Sequence, residues 1–77
     1  MHIPWTPAFR DLPMRRVDAR TCPDCEVSYM LGWAGLDYRI RRIVRGHREI
    51  GVFDTPTPTD RAQVEKWWEL LLAGEAI

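Results

Sequence analysis

No apolar run in the chain approaches the ~18 residues that a membrane-spanning helix requires, and the N-terminal residues lack the apolar core of a signal peptide. These absences give the expectation of a soluble, cytoplasmic protein. Surplus charge is also missing. Eleven basic groups face eleven acidic ones, for a formal net charge of zero. A general polyanion binder is strongly basic, so the balance argues against one. Lysine is scarce, because ten of the eleven basic residues are arginine, the cation suited to bidentate and buried contacts. The chain has no glycine-rich phosphate loop, no His-Glu-x-x-His run and no nucleophile elbow. Nothing places two carboxylates across a cleft. Enzyme readings other than redox chemistry therefore have no support.

What is present describes one small domain. The 77 residues are 45% hydrophobic and 29% charged, the composition of a folded chain. A domain of this size buries only about 60% of the surface its unfolded chain exposes. Its core is marginal, and small scaffolds usually add a staple or a partner. The two cysteines and four tryptophans are the candidates. Charge is uneven along the chain. From Leu36 to Phe53 five arginines face Asp37 and Glu49, whereas from Asp54 onward five acids face Arg61 and Lys66.

Residues 1–21 are broken by Pro4, Pro7 and Pro13, which disfavour long helices and central strands. Trp5, Phe9, Leu12 and Met14 are nevertheless too apolar for a free tail. The segment is expected to be an extended N-terminal arm that packs on its own domain (residues 22–77) or on another chain. Val27, Tyr29, Leu31 and Trp33 alternate with Glu26, Ser28, Met30 and Gly32, the period of a half-buried strand. A helix also fits this stretch, but Gly32 and Gly35 weaken it. Ala34-Gly35 is the expected turn. Leu36 to Val44 follows as a second strand, with Tyr38, Ile40 and Val44 on one face and Arg39, Arg41 and Arg45 on the other. Ile43 breaks the alternation, which predicts a bulge near Arg42. Arg45-Gly46-His47-Arg48 forms a second turn, and a third strand ends near Phe53. Thr57 and Pro58 are the expected cap and first residue of a helix that runs to about Ala73 and stops at Gly74. Val64, Trp67, Trp68, Leu71 and Leu72 recur at helical spacing along it. The fold class is α+β: a Pro-rich arm, a Cys knuckle, a three-stranded antiparallel β-meander and one C-terminal amphipathic helix.

Cys22-Pro23-Asp24-Cys25 presents two thiols from one tight turn. Such a pair supplies half of a tetrahedral zinc site, a thiol–disulfide exchange site, or an unoccupied or disulfide-linked pair. Pairing across a turn at residues 34–35 brings His47 beside the knuckle as a third ligand. His2, Asp24, a water or a second chain is the candidate fourth. Cys22-Pro23-Asp24-Cys25 also resembles the Cys-Pro-x-Cys of glutaredoxins. Gly35-Leu36-Asp37-Tyr38 resembles the Gly-hydrophobic-x-aromatic sequence that opens their second strand. Together these cover about a quarter of the chain. The resemblance implies a thiol–disulfide oxidoreductase with Cys22 as nucleophile and Cys25 as its partner. The gap from Cys25 to Gly35 is one residue shorter than is usual in that family, and Met14 to Arg20 is too charged for a buried parallel strand.

The helix stripe, widened by Leu70 to roughly 200°, exceeds the ~100° that core packing uses. Trp67, Trp68 and Leu71 are therefore the expected contact with a partner chain or a second copy. The alternative is that Trp5 and Phe9 fold back over the helix. Arg39, Arg41 and Arg48 form a basic sheet face that suits phosphates. The element order from Tyr38 onward is similar to the arm-binding domains of phage-type integrases, which implies DNA binding. The reading adopted is a non-enzymatic protein-interaction or assembly module, zinc-stapled through Cys22, Cys25 and His47. Behind it stand the thiol oxidoreductase and the nucleic-acid-binding module. Residues 26–34 separate the first two: a strand favours the knuckle, a helix the redox reading.

Overall fold

The computed structural model describes residues 1–8, 13–46 and 49–77. The chain forms five strands and one helix: β1 (Thr6–Pro7), β2 (Met14–Arg20), β3 (Val27–Ala34), β4 (Asp37–Arg45), β5 (Ile50–Asp54) and α1 (Arg61–Leu72). All strands pair antiparallel in one sheet of order β1-β5-β4-β3-β2. The expected three-stranded meander is therefore the centre of a five-stranded sheet. The segment expected to be an arm supplies both edge strands, one at each side.

Each edge has a local reason for being one. Pro7 cannot donate to a ladder, which confines it to an edge. There it lies opposite Phe53, and the ladder continues from the Ala8 N–H to the Val52 carbonyl at 3.0 Å. β2 carries three arginines and Asp18, the charged composition of a guarded edge. Register shifts on either side of Val17 leave Arg15 and Asp18 as extra residues against β3. The irregularities thus fall in β2, whereas β4 runs in unbroken register with both neighbours. The bulge expected at Arg42 does not occur, and Ile43 lies on the face of Arg39 and Arg41, opposite Val52.

The β3–β4 turn is Gly35-Leu36, one residue later than expected, closed by the pair Ala34 and Asp37. Gly35 has φ 62°, as the first central residue of a two-residue hairpin turn requires. The core lies between the sheet and α1. Leu31, Tyr38 and Ile40 pack against Val64, Trp67 and Trp68, joined by Ile3 and Ala76. Trp5 packs at the margin, 5.8 Å from the Tyr29 ring. Backbone bonds from Ile3 to Ile77 (2.9 Å) and from Ile77 to Met1 (3.0 Å) tie the two ends together over this core. Val64, Trp67 and Trp68 of the wide α1 stripe are thus covered in cis, with Ile3 and Ala76 in the same cluster and Trp5 at its margin, while Leu72 stays exposed.

The helix begins at Arg61 with Asp60 as its cap residue, three residues later than Thr57 and Pro58 suggested. The Thr59 hydroxyl instead donates to the Pro56 carbonyl, which fixes the turn ahead of the helix. At the other end Gly74 adopts φ 75° and donates to Leu71, and Glu75 donates to Leu70. These bonds satisfy the last carbonyls of the helix. Among the described residues no helix is long and apolar enough to cross a membrane.

Candidate functional site: a basic–aromatic cleft at the β3–β4 turn

The expected site residues divide sharply in their surroundings. Trp67 and Trp68 are each only 7% exposed and belong to the domain's own core; Leu71 is half-buried beside them. The face expected to meet a partner already meets β3, β4 and the chain ends.

Arg39 and Arg41 leave the sheet on the face opposite α1 and are buried, as is Asp54. Arg41 clasps Asp54 bidentately, Nε to Oδ1 at 2.8 Å and Nη2 to Oδ2 at 3.0 Å. Arg39 Nη1 reaches the same Oδ2 at 2.9 Å, and its Nη2 reaches Asp37 at 3.2 Å. Two arginines of the expected phosphate-binding face are therefore held inside an ion-pair network by two aspartates. A guanidinium engaged this way is not free for a phosphate oxygen. Arg48, the third member of that face, lies outside the described residues. Arg42 turns to the helix side, its guanidinium 5.8 Å from the centre of the Trp5 ring.

Cys22 and Cys25 are joined as a disulfide, with Cα atoms 5.4 Å apart. The expected zinc site is overturned by this bond, because zinc binds thiolates and the sulfurs are committed to each other. Among the described residues no group of three or more His, Cys, Asp or Glu side chains is placed to hold a metal ion. His47 lies outside the described residues. The stretch after Cys25 is strand β3, so no helix N-terminus adjoins either sulfur. The thiolate stabilisation that such a terminus supplies is absent there.

An open cleft lies at the surface beside the β3–β4 turn. It has a volume of about 380 Å³ and is lined by Arg15, Arg16, Trp33, Gly35 and Leu36. Its parts come from local features already described. The extra residue Arg15 is turned so that Nη1 donates to the Gly35 carbonyl at 3.1 Å, pinning β2 to the turn. Arg16 sits beside it, 75% exposed, with Nε on Asp18 at 2.7 Å. Gly32 lets the two strands approach here. A Cβ at this position would overlap the Arg16 carbonyl oxygen. Leu36 stands at the tip of the turn and is 87% exposed. Trp33 forms the floor, its ring 5.1 Å from that of Tyr38. Arg61 from the helix stacks over Tyr38 at 4.9 Å. Burial pushes the Tyr38 hydroxyl above its ordinary value of 10.0; Arg61 opposes the shift, and Glu65 and Asp18 add to it.

None of the cleft residues is among the site residues expected from the sequence. Arg15 and Arg16 were assigned to the arm and Leu36 to the start of a strand. The available signal was Leu36 itself, since a leucine directly after a turn glycine is out of place in a pattern that otherwise sorts apolar from polar side chains. Comparison of the chain with family models, with curated proteins and with solved structures finds no match.

Proposed function

We propose that the chain is a non-enzymatic protein-interaction module whose contact surface is the Arg15–Arg16–Trp33–Leu36 cleft. The observation that carries this reading is the combination of an exposed leucine, an aromatic side chain and two cations, of which Arg16 is paired with Asp18, with no acidic side chain among the described residues of the lining. Exposed aliphatic groups beside an aromatic and arginines are the composition of a contact centre rather than of a solvated surface. The complementary partner is an acidic segment that presents an apolar side chain. Carboxylates meet Arg15 and Arg16, and the apolar group packs between Leu36 and Trp33. A cytoplasmic location belongs to the same reading.

Selection of a peptide-display library on the immobilised protein, with Leu36→Asp as counter-selection, tests this. The expected result is enrichment of peptides that pair Asp or Glu with Leu, Phe or Trp and that quench tryptophan emission on binding. Equal recovery on the wild type and on Leu36→Asp would remove the reading.

The chain also displays such a surface itself. Glu65, Glu69 and Leu72 are exposed on α1 at offsets 0, 4 and 7, which places them on one helical stripe. A second copy can therefore be the partner. Its helix in this cleft makes a head-to-tail contact, which gives rings or open chains rather than a two-fold dimer. Sedimentation velocity over a concentration series separates the two: self-association weakened by Leu72→Asp favours the second copy, and a concentration-independent monomer favours a foreign segment.

A further inference from the structure

The sheet face opposite α1 carries a second, smaller cleft. Strand alternation sends Arg45 to the same face as Arg41 and Ile43. The register places Ser28 opposite Ile43, and Met30 between Arg41 on one side and Arg20 on the other. These residues, except Arg41, line a space of about 110 Å³ together with Thr21, Pro23 and Tyr29. It has room for roughly three to four waters at about 30 Å³ each. That suits one anionic head group and falls well short of the ~300 Å³ at which pockets for whole small molecules begin. None of its residues lines the Arg15–Leu36 cleft, so the two surfaces can be tested separately.

The lining offers donors and, among the described residues, no carboxylate. Arg45 is set in place by its own bonds. Its N–H donates to the Glu26 carbonyl at 2.7 Å, and Nη1 donates to the Cys25 carbonyl and the Ser28 hydroxyl, both at 2.9 Å. Among the described residues no acid pairs with Arg20 or Arg45. Asp24 and Glu26 are exposed on the neighbouring turn and stand outside the lining. The two hydroxyls are already acceptors: Ser28, only 3% exposed, takes Arg45, and Thr21 takes the Tyr29 N–H at 2.9 Å. Each hydroxyl has one proton of its own. Those two protons and the remaining guanidinium N–H groups are left to donate to a ligand.

We infer that this cleft binds the terminal phosphoryl group of a phosphate monoester, between Arg20 and Arg45. Such a group carries a charge of about −1.5 to −2 at pH 7 and three strong acceptor oxygens. Two guanidiniums balance the charge, and their forks match phosphate oxygens. The Thr21 and Ser28 hydroxyls donate to oxygen lone pairs that the arginines leave. Pro23, Met30 and Ile43 supply an apolar wall for the carbon that bears the phosphate. A carboxylate, with one charge and two oxygens, balances only one of the two guanidiniums. A phosphodiester also has a single charge, and it carries a substituent on either side that a space this small does not admit.

Amide NMR of the isotope-labelled protein, titrated with ethyl phosphate at fixed ionic strength, tests the site. The expected result is saturable shifts at the Thr21, Ser28 and Tyr29 amides and at the Nε–H groups of Arg20 and Arg45. Diethyl phosphate and acetate should bind at least tenfold more weakly. Arg20 is exposed, so Arg20→Gln should keep the wild-type urea midpoint and still lose at least tenfold in affinity, the loss of one charge-assisted contact. Arg45→Gln also removes the bonds to Cys25 and Ser28, so Arg20→Gln carries the test. Lys66→Gln, which takes the same charge from an exposed position on α1, should bind as wild type. A phosphoserine peptide that binds more tightly than ethyl phosphate assigns the phosphoryl group to a partner's side chain; equal affinity assigns it to a free phosphate ester. Absence of saturation in the millimolar range overturns the proposal. So does equal binding of ethyl and diethyl phosphate, or equal weakening by Arg20→Gln and Lys66→Gln, since the attraction is then one of overall charge.

Discussion

Arg41 and Asp54 face each other directly across β4 and β5, and both carboxylate oxygens of Asp54 are held by the one guanidinium, at 2.8 and 3.0 Å. The carboxylate is 4% exposed and also accepts Arg39 at 2.9 Å. Removing one partner of a buried pair leaves an uncompensated charge and costs about 3–5 kcal/mol. Asp54→Ala strands two arginines, so its cost belongs at the upper end of that range. Urea unfolding of wild type and variant measures it. Buried pairs are weakly screened, so the difference should persist in high salt. A loss below about 1 kcal/mol would show that the network is open to water.

Tyr38 supplies a second readout of the same strand. Its hydroxyl is raised above 10.0 in the folded protein, chiefly by burial. The folded state therefore keeps a proton that the unfolded chain gives up. This contribution to stability is complete below pH 10 and is lost as pH rises through the folded value. An ultraviolet tyrosinate titration should show a late phase that Tyr38→Phe abolishes. The variant should also flatten the fall in stability above pH 10.

Gly32 bears on both the fold and the cleft. A methyl group there meets the backbone of Arg16 and lies 3.0 Å from the Val17 Cα, and backbone cannot rotate aside as a side chain can. Gly32→Ala should cost about 1–3 kcal/mol through overpacking. It should also displace β2, so that amide exchange quickens from Met14 to Arg20 while β3–β4 amides remain protected. Peptide binding in the cleft should weaken with it, because Arg15 and Arg16 ride on the displaced strand.

The central hairpins and the helix were legible because their apolar residues keep the periods of a strand and a helix. Tyr38 and Ile40 face α1 while Arg39 and Arg41 face away, as the alternation predicts. β2 was illegible for a physical reason: two extra residues break its period, and an edge strand exposes charges that read as linker. The turn was misplaced by one residue because Leu36 looked like the first residue of a strand. The surroundings of the tryptophans were not legible either: a 200° stripe appeared too broad for a small sheet, but Ile3, Trp5 and Ala76 join the cluster around Trp67 and Trp68, and Leu72 is the part of the stripe left exposed. The ion pairs of Arg39 and Arg41 had a findable signal in Asp54, the acid that follows the apolar run of β5 and lies opposite Arg41.

Trp68 and Leu36 separate core from contact surface, and paired substitutions test that division. Trp68 is 7% exposed within the main cluster, so Trp68→Ala should cost about 3–5 kcal/mol as a cavity mutation. Any loss of binding should follow only from the lowered folded fraction. Leu36 is 87% exposed, and a substitution at such a position normally changes stability by less than about 0.5 kcal/mol. Leu36→Asp should therefore unfold at the wild-type urea midpoint yet lose affinity for acidic, Leu-bearing peptides at least tenfold, since it removes the apolar contact and adds a like charge. Calorimetric titration below the unfolding transition gives the affinities, and urea melts give the stabilities. If Trp68→Ala abolished binding while staying fully folded, the contact surface would return to the helix. If Leu36→Asp bound as well as wild type, the cleft would lose its role.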